Sequence, residues 1–472
     1  MNERVGGNSL RRWSTITAML AVVVAVAGMS LYANLPVLMT TRPNYKNFPP
    51  FTGENKHDVK HLGAEYNAIS VALVNGRGFA DPFRTRTGPT AWMPPMYSWI
   101  LAALRWDANG DIQYVQTAVV VLQDMGLIVT GWLLIALARR SGSSVGLTTL
   151  LFIGGLCYYF RQGFQFIHDC WIVLAALDVL IAGLVFVRPF QRSWLVAAGW
   201  GVVGGLIALT TPAVAFIWGL SWCATAVSAV SKRARSGLAV PILSLAAAAL
   251  AAAIVVSPWL VRNYQVFGRF IPIKSNLAFE LYQSQCVQEG GVLHDPIWQS
   301  HPNHGGNAAL FEYAQLGEMA YMDRKWEQFK DAVRANPGDF LQRIWNRLLE
   351  ATLVYVPFNP EDERRRPDQT MYARLVYPLP FVCLIGLVAS AYWFPLGRAQ
   401  WVVIAVYLAY LMPYVAVSYY DRYKFPVMVT EIALVVWGVE RLVWWGGGGE
   451  SRSRLGEFVK PQAAPAIEGV MT

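Results

Sequence analysis

The sequence predicts an all-α integral membrane protein with about ten transmembrane helices, N- and C-termini cytoplasmic, and two large extracytoplasmic segments carrying juxtamembrane helices. Three observations predict it. Of 472 residues, 55% are hydrophobic and only 15% charged, whereas soluble globular proteins carry about 25% charged residues, so an ordinary soluble enzyme is excluded. The apolar residues collect in charge-poor runs of roughly 20, the length at which a helix rising about 1.5 Å per residue crosses about 30 Å of hydrocarbon. The excess of 39 Lys+Arg over 30 Asp+Glu, a net +9, sits largely in short links between those runs. That is where an orientation signal belongs, and it argues against a nucleic-acid partner.

Residues 1–40 form the cytoplasmic N-terminus and first span. No charge lies between Arg12 and Arg42, and the run Ile16 to Leu38 exceeds the roughly 7 to 15 apolar residues of a cleaved signal peptide, so it reads as a retained anchor. Residues 41–111 form the first extracytoplasmic loop. Residues 112–259 hold six spans, at Ile112 to Ala138, Ser144 to Phe160, Trp171 to Val187, Trp194 to Thr210, Ala213 to Val230 and Leu238 to Trp259. The uncharged stretch Ser193 to Ser231 is too long for one span, and Thr211-Pro212 at its centre folds it into a hairpin. Residues 260–374 form the second extracytoplasmic segment. Residues 375–445 hold spans at Leu375 to Phe394, Trp401 to Ser418 and Phe425 to Trp444, and 446–472, opening on four glycines, reads as a disordered cytoplasmic tail. With the N-terminus cytoplasmic, the links bearing Arg139-Arg140, Arg188 with Arg192, Lys232-Arg233 with Arg235, and Arg398 all fall on the cytoplasmic side.

In the first loop, His57, Asp58, His61, Glu65 and Tyr66 precede Ile69, Leu73 and Val74, and Asn75-Gly76 closes the run: a short surface helix with a glycine stop. Asp58 and Glu65 share a face if that helix is continuous. His57 and His61 read as a solvated pair or, less readily, as metal ligands. In Thr87 to Tyr97, Pro89, Pro94 and Pro95 impose a rigid path, while Trp92 and Tyr97 suit a membrane interface. Asn336-Pro337 is a helix start, followed by an apolar face (Phe340, Leu341, Ile344, Trp345, Leu348) opposite a polar one (Gln342, Arg343, Asn346, Arg347, Glu350), the pattern of a helix lying in the membrane plane.

Arg422 and Lys424 put positive charge where orientation does not require it. A phosphate ligand accounts for them, as does snorkelling or pairing with Asp421. Asp124 and Asp178 fall inside spans and read as interhelical hydrogen-bonding groups. His168-Asp169, at the outer end of a span, is a second-tier candidate for chemistry or a helix cap.

Several of these segments together resemble the GT-C glycosyltransferases, the multi-span enzymes related to protein O-mannosyltransferases, lipid A aminoarabinose transferases and Rgt-type bacterial relatives. The resemblance is carried by Glu65-Tyr66-Asn67-Ala68-Ile69-Ser70, Gly76-Arg77-Gly78-Phe79, Pro89-Thr90-Ala91-Trp92 with Pro94-Pro95-Met96-Tyr97, Pro258-Trp259 with Arg262-Asn263-Tyr264, and Arg422-Tyr423-Lys424-Phe425-Pro426. It implies an inverting transfer of a sugar from a polyprenyl-phosphate donor to a lipid, glycan or protein acceptor, at the extracytoplasmic face of a bacterial-type inner membrane. By position the acid of the first loop, which acts as base or positions the acceptor, falls on Glu65 with Asp58 behind it. Arg262, Arg422 and Lys424 look like the phosphate clamp, with Tyr66 beside the acid and Arg84 and Arg86 as helpers. No metal ligand set is assigned: a divalent metal is compatible with the sequence, but nothing in the spacing requires it. A transporter or flippase, or a non-catalytic membrane assembly protein, are the competing readings.

Overall fold

The computed structural model describes residues 3–38, 62–83, 85–109, 111–236, 242–304 and 308–446. The tail at 447–472 lies outside the described residues. The chain begins with α1 (Glu3–Leu38), followed by two short helices, α2 (Ala64–Val74) and α3 (Pro95–Asp107). Six apolar helices come next: α4 (Ile112–Ser141), α5 (Val145–Tyr158), α6 (Cys170–Ala182), α7 (Trp194–Thr210), α8 (Pro212–Ser236) and α9 (Ile242–Phe267). A second group of short helices contains α10 (Leu277–Tyr282), α11 (Ala308–Leu316), α12 (Glu318–Ala335), α13 (Pro337–Thr352), α14 (Pro360–Arg365) and α15 (Pro367–Val376), and the chain closes with α16 (Leu379–Ser390), α17 (Arg398–Ala416) and α18 (Met428–Gly446). Among the described residues there is no strand, only one isolated bridge between Ala80 and Pro89.

This is an all-α, multi-pass membrane protein. Among the described residues seven segments are long and apolar enough to cross a bilayer: α1, α4, α6 with the turn after it, α8, α9, α15 running into α16, and α17. α5 and α7 are apolar but shorter, and α18 carries Glu431, Glu440 and Arg441. Local chemistry fixes the ends. Asp111 accepts the backbone N–H of Gln113 and Tyr114 to start α4, and Gly142, at φ 76°, ends it in the left-handed conformation that glycine adopts without penalty. Thr211 is extended and separates α7 from α8, so the hairpin expected at Thr211-Pro212 is present.

Polar groups inside the bundle find partners on neighbouring helices. Ser30 donates to Asp124 at 2.5 Å and Thr130 donates to Asp178 at 2.6 Å, the interhelical bonding expected for both acids. α7 meets α9 along a glycine seam. A Cβ on Gly201 would overlap the Ala248 carbonyl, and one on Gly205 would come within 2.6 Å of Val255.

Four expectations are corrected. The helix bearing Glu65 is not a surface helix: Glu65, Tyr66, Asn67, Ile69, Ser70 and Ala72 are buried, because α2 packs on α3 and Arg105 from α3 donates into it through Ser70 and Asn67. Nor does that helix extend back through Gly63, which at φ 80° precedes its start at Ala64; Asp58 lies outside the described residues. Pro258 does not mark a helix end, as α9 runs through it to Phe267. Trp92 and Tyr97 are core residues, at 0% and 1% exposure, and not interfacial anchors. Trp92 lies in a cluster with Phe83, Phe279, Tyr313 and Tyr321 that joins the first loop to the second segment.

α13 has the expected start, Asn336 accepting the N–H of Asp339 at 3.1 Å with Pro337 in the first turn. Its two faces are inverted relative to a soluble helix. Arg347 and Glu350 are buried, while Leu341 is 65% and Trp345 53% exposed. The buried guanidinium of Arg347 donates to the carbonyls of Val415 and Ala416 at the end of α17, which satisfies helix-terminal acceptors that lack partners within the helix.

Candidate functional site

The described residues line a half-open cavity of about 1780 Å³ between one end of the helix bundle and the layer formed by the short helices α2, α3 and α10–α15. Its walls come from the late part of α1, the start of α2, the end of α5, the start of α6, the α7–α8 turn, α10, the 293–304 loop, α15, and the end of α17 with the turn that follows. All the links expected on one side of the membrane therefore converge on it. At the opposite end of the bundle lie the α4–α5 link, where the Ser144 N–H donates to Glu440, and Arg398, which donates to the Leu184 carbonyl.

Of the sequence candidates, Glu65, Tyr66, His168, Asp169, Arg422 and Lys424 line this cavity. Glu65 sits in the first turn of α2, buried. Burial pushes its carboxyl up to about 7, with Asp169 and Glu280 adding to the rise and its own backbone N–H and Arg422 opposing it. Tyr66, one residue on, packs edge-on against Tyr97 at 5.1 Å. Asp169 holds the N-cap position of α6 without capping it through its side chain, while His168 Nδ1 accepts the Cys170 N–H at 3.3 Å.

Arg422 lies over the ring of Tyr420 at 5.1 Å. Tyr420 contacts Tyr423 and Phe358, and Tyr423 stacks on Tyr414 at 4.3 Å. Among the described residues Arg422 makes no ion pair, and its Nε is buried without a hydrogen-bond partner. Lys424 is different. It pairs with Glu431 at 3.2 Å, donates to the Tyr377 carbonyl at 3.1 Å and lies 3.4 Å from the centre of the Tyr377 ring. Its charge is met by protein groups.

Arg262 is not at the cavity. It donates to the carbonyls of Thr90 and Phe79 and lies over Trp259, Phe79 and Phe267, clamping the first loop onto α9. Arg86 is exposed and outside the cavity walls. Asp58 and Arg84, with His57 and His61, lie outside the described residues.

Three cavity or anchoring residues escaped the sequence reading. Glu280 accepts from Ser418 and Asn276, at 2.9 and 3.2 Å, and faces the cavity. His301 places Nε2 3.6 Å from Glu65 Oε1. Burial pushes this imidazole down to about 3, so it is neutral at ordinary pH and the contact is dipolar, not ionic. Glu318 is buried and accepts from Thr90 Oγ1, the Ala91 N–H, Ser275 Oγ and the Tyr313 hydroxyl. It ties the proline-rich segment to the segment between α9 and α16. The signal the sequence holds for His301 is the His-, Gly-, Pro- and Asn-rich composition of 286–307, the composition of a binding loop or an irregular cap.

Among the described residues, the only group of close potential metal ligands is the consecutive run His168, Asp169 and Cys170. One ring nitrogen of His168 is already engaged by the Cys170 N–H, and the run offers one side of a cage only, so it carries no metal assignment. Comparison of the chain with protein-family models, with curated proteins and with solved structures finds no match.

Proposed function

We propose that this chain is an inverting membrane glycosyltransferase that moves a sugar from a polyprenyl-phosphate donor to a lipid, glycan or protein acceptor at the extracytoplasmic face of a bacterial-type inner membrane. The observation that carries the reading is the meeting, in one cavity, of a carboxyl held near 7 and an arginine with no carboxylate partner among the described residues. A cavity of about 1780 Å³ exceeds the roughly 300–1,000 Å³ of an ordinary small-molecule pocket, as a site for both a lipid-linked sugar and an acceptor must.

In the proposed step Glu65, ionised, takes the proton of an acceptor hydroxyl whose oxygen attacks the anomeric carbon. The bond from that carbon to the phosphate oxygen breaks on the opposite side, and its electron pair leaves with the polyprenyl phosphate. Arg422 supplies planar donors to the phosphate as charge develops there. A carboxyl near 7 is matched to this task, being half ionised at working pH and still basic enough to accept a proton. Lys424, held by Glu431, shapes the turn that presents Arg422.

The test is donor consumption by the purified chain in nanodiscs, offered polyprenyl-phosphate sugars with lipid, glycan and peptide acceptors. Release of polyprenyl phosphate that falls at least a hundredfold in Glu65→Gln and in Arg422→Gln, with both variants folded, supports the proposal. Unchanged release in Glu65→Gln removes Glu65 as the base, and no release by the folded parent with any donor removes the transferase reading.

A further inference from the structure

The geometry points to His301 as the positioning residue of Glu65: its Nε2–H, presented by a fixed neutral tautomer, holds one carboxylate oxygen so that the other faces the cavity. This rests on the reading of Glu65 as a base. The backbone N–H of Asn303 donates to His301 Nδ1 at 3.1 Å, so in the neutral ring the proton must lie on Nε2, the atom 3.6 Å from Glu65 Oε1. That separation is slightly longer than a hydrogen bond, as contacts to a catalytic base commonly are before substrate closes the site.

The ring has little freedom to turn away. Phe279, Trp92 and Phe83 surround it edge-on, with centroids at 5.2, 5.9 and 6.1 Å. The loop that carries it is tethered at both ends of its course. The Leu293 N–H donates to the Tyr419 carbonyl, just before the turn bearing Arg422, and the His304 N–H closes back onto the His301 carbonyl. One loop thus spans from the phosphate-side arginine to the base, and His301 is its contact with α2. The charged and titratable groups facing Glu65 are Arg422 from the turn before α18, Asp169 at the start of α6, Glu280 on α10 and Tyr66 beside it. Against that mixed field, a donor aimed at Oε1 favours the ionised carboxylate.

Two variants of the full chain in nanodiscs test this. His301→Phe keeps a ring in the aromatic box and removes the donor, and His301→Gln restores an N–H near the Nε2 position. Infrared difference titration reads the Glu65 carboxyl directly, its band being identified by its loss in Glu65→Gln. The expected result is a midpoint about one unit higher in His301→Phe and a near-parental midpoint in His301→Gln. Sugar transfer below neutral pH falls about tenfold in His301→Phe, with KM for the donor unchanged, because fewer molecules hold an ionised base. A folded His301→Phe whose Glu65 midpoint matches the parent's overturns the assignment, as does a His301→Gln that titrates like His301→Phe. A shifted midpoint in a parent protein that transfers no sugar leaves the His301–Glu65 relation standing and removes the transferase reading alone.

Discussion

Lys424 and Glu431 form an ion pair at 3.2 Å with side chains 2% and 6% exposed, and the Tyr159 hydroxyl donates to the second Glu431 oxygen at 2.5 Å. Two charges so deeply placed are tolerable only together. Glu431→Gln leaves the ammonium without its counter-charge, and the expected loss of stability is about 3 kcal/mol, read as a lower denaturation midpoint in the same detergent. Replacing the pair by Met at 424 and Leu at 431 restores most of it, because neither charge then needs desolvating. A Glu431→Gln variant as stable as the parent would show that the pair is not what holds this turn.

The Glu65 carboxyl sets a pH dependence of activity and of folding with opposite signs. Its folded-state value is raised from 4.5 to about 7 by burial. In the proposed transfer the ionised form is the base, so the expected rate rises through about pH 7 and levels off above it. Folding works the other way. Between about 4.5 and 7 the folded chain holds a proton that the unfolded chain has released, so this group's contribution to stability is full below 4.5 and is lost as pH rises through 7. Glu65→Gln flattens that part of the stability curve, and melting measured from pH 4 to pH 8 checks it.

Glu318 is the keystone of the loop layer, with four donors converging on one buried carboxylate. Glu318→Ala strands those donors, at about 1–3 kcal/mol for each one left buried and unmet. The expected outcome is faster hydrogen exchange at Ala91 and Ser275 and faster proteolysis between α2 and α3 and between α9 and α12, with the helix bundle unaffected. Uniform destabilisation of bundle and loops would contradict that division.

Seven of the ten expected span positions, the break at Thr211-Pro212 and the Asn336 cap were legible because each depends on apolar length or on chemistry within a few residues. Arg422 was legible as a charge that orientation does not require, Asp169 by its place at the end of a span, and Glu65 through its position in the family resemblance. Arg262 illustrates the limit. Sequence shows its charge but not the Thr90 and Phe79 carbonyls, 172 and 183 positions away, that consume its donors. His301, Glu280 and Glu318 were missed for the same reason, since their roles exist only once the second segment is laid against the first. Trp92 was misplaced because an aromatic residue in a proline-rich loop has the same local pattern whether it faces headgroups or Tyr313.

The outward apolar face of α13 predicts direct lipid contact. Trp345, 53% exposed, should be quenched by brominated acyl chains in nanodiscs, and Trp345→Phe should remove that share of the quenching. Leu341→Glu should weaken membrane seating of this helix while leaving the Arg347 contacts to α17 in place. Quenching unchanged in Trp345→Phe would put this face in water.

The glycine seam between α7 and α9 also bears on how the molecule can move. With Gly201 against the Ala248 backbone and Gly205 against Val255, sliding one helix past the other by a residue, about 1.5 Å, would bring side chains into a gap that has no room for a methyl group. The two helices are therefore locked into one body. The end of α7 reaches the cavity wall at Thr210, so that stretch of wall moves only when the pair moves as a unit.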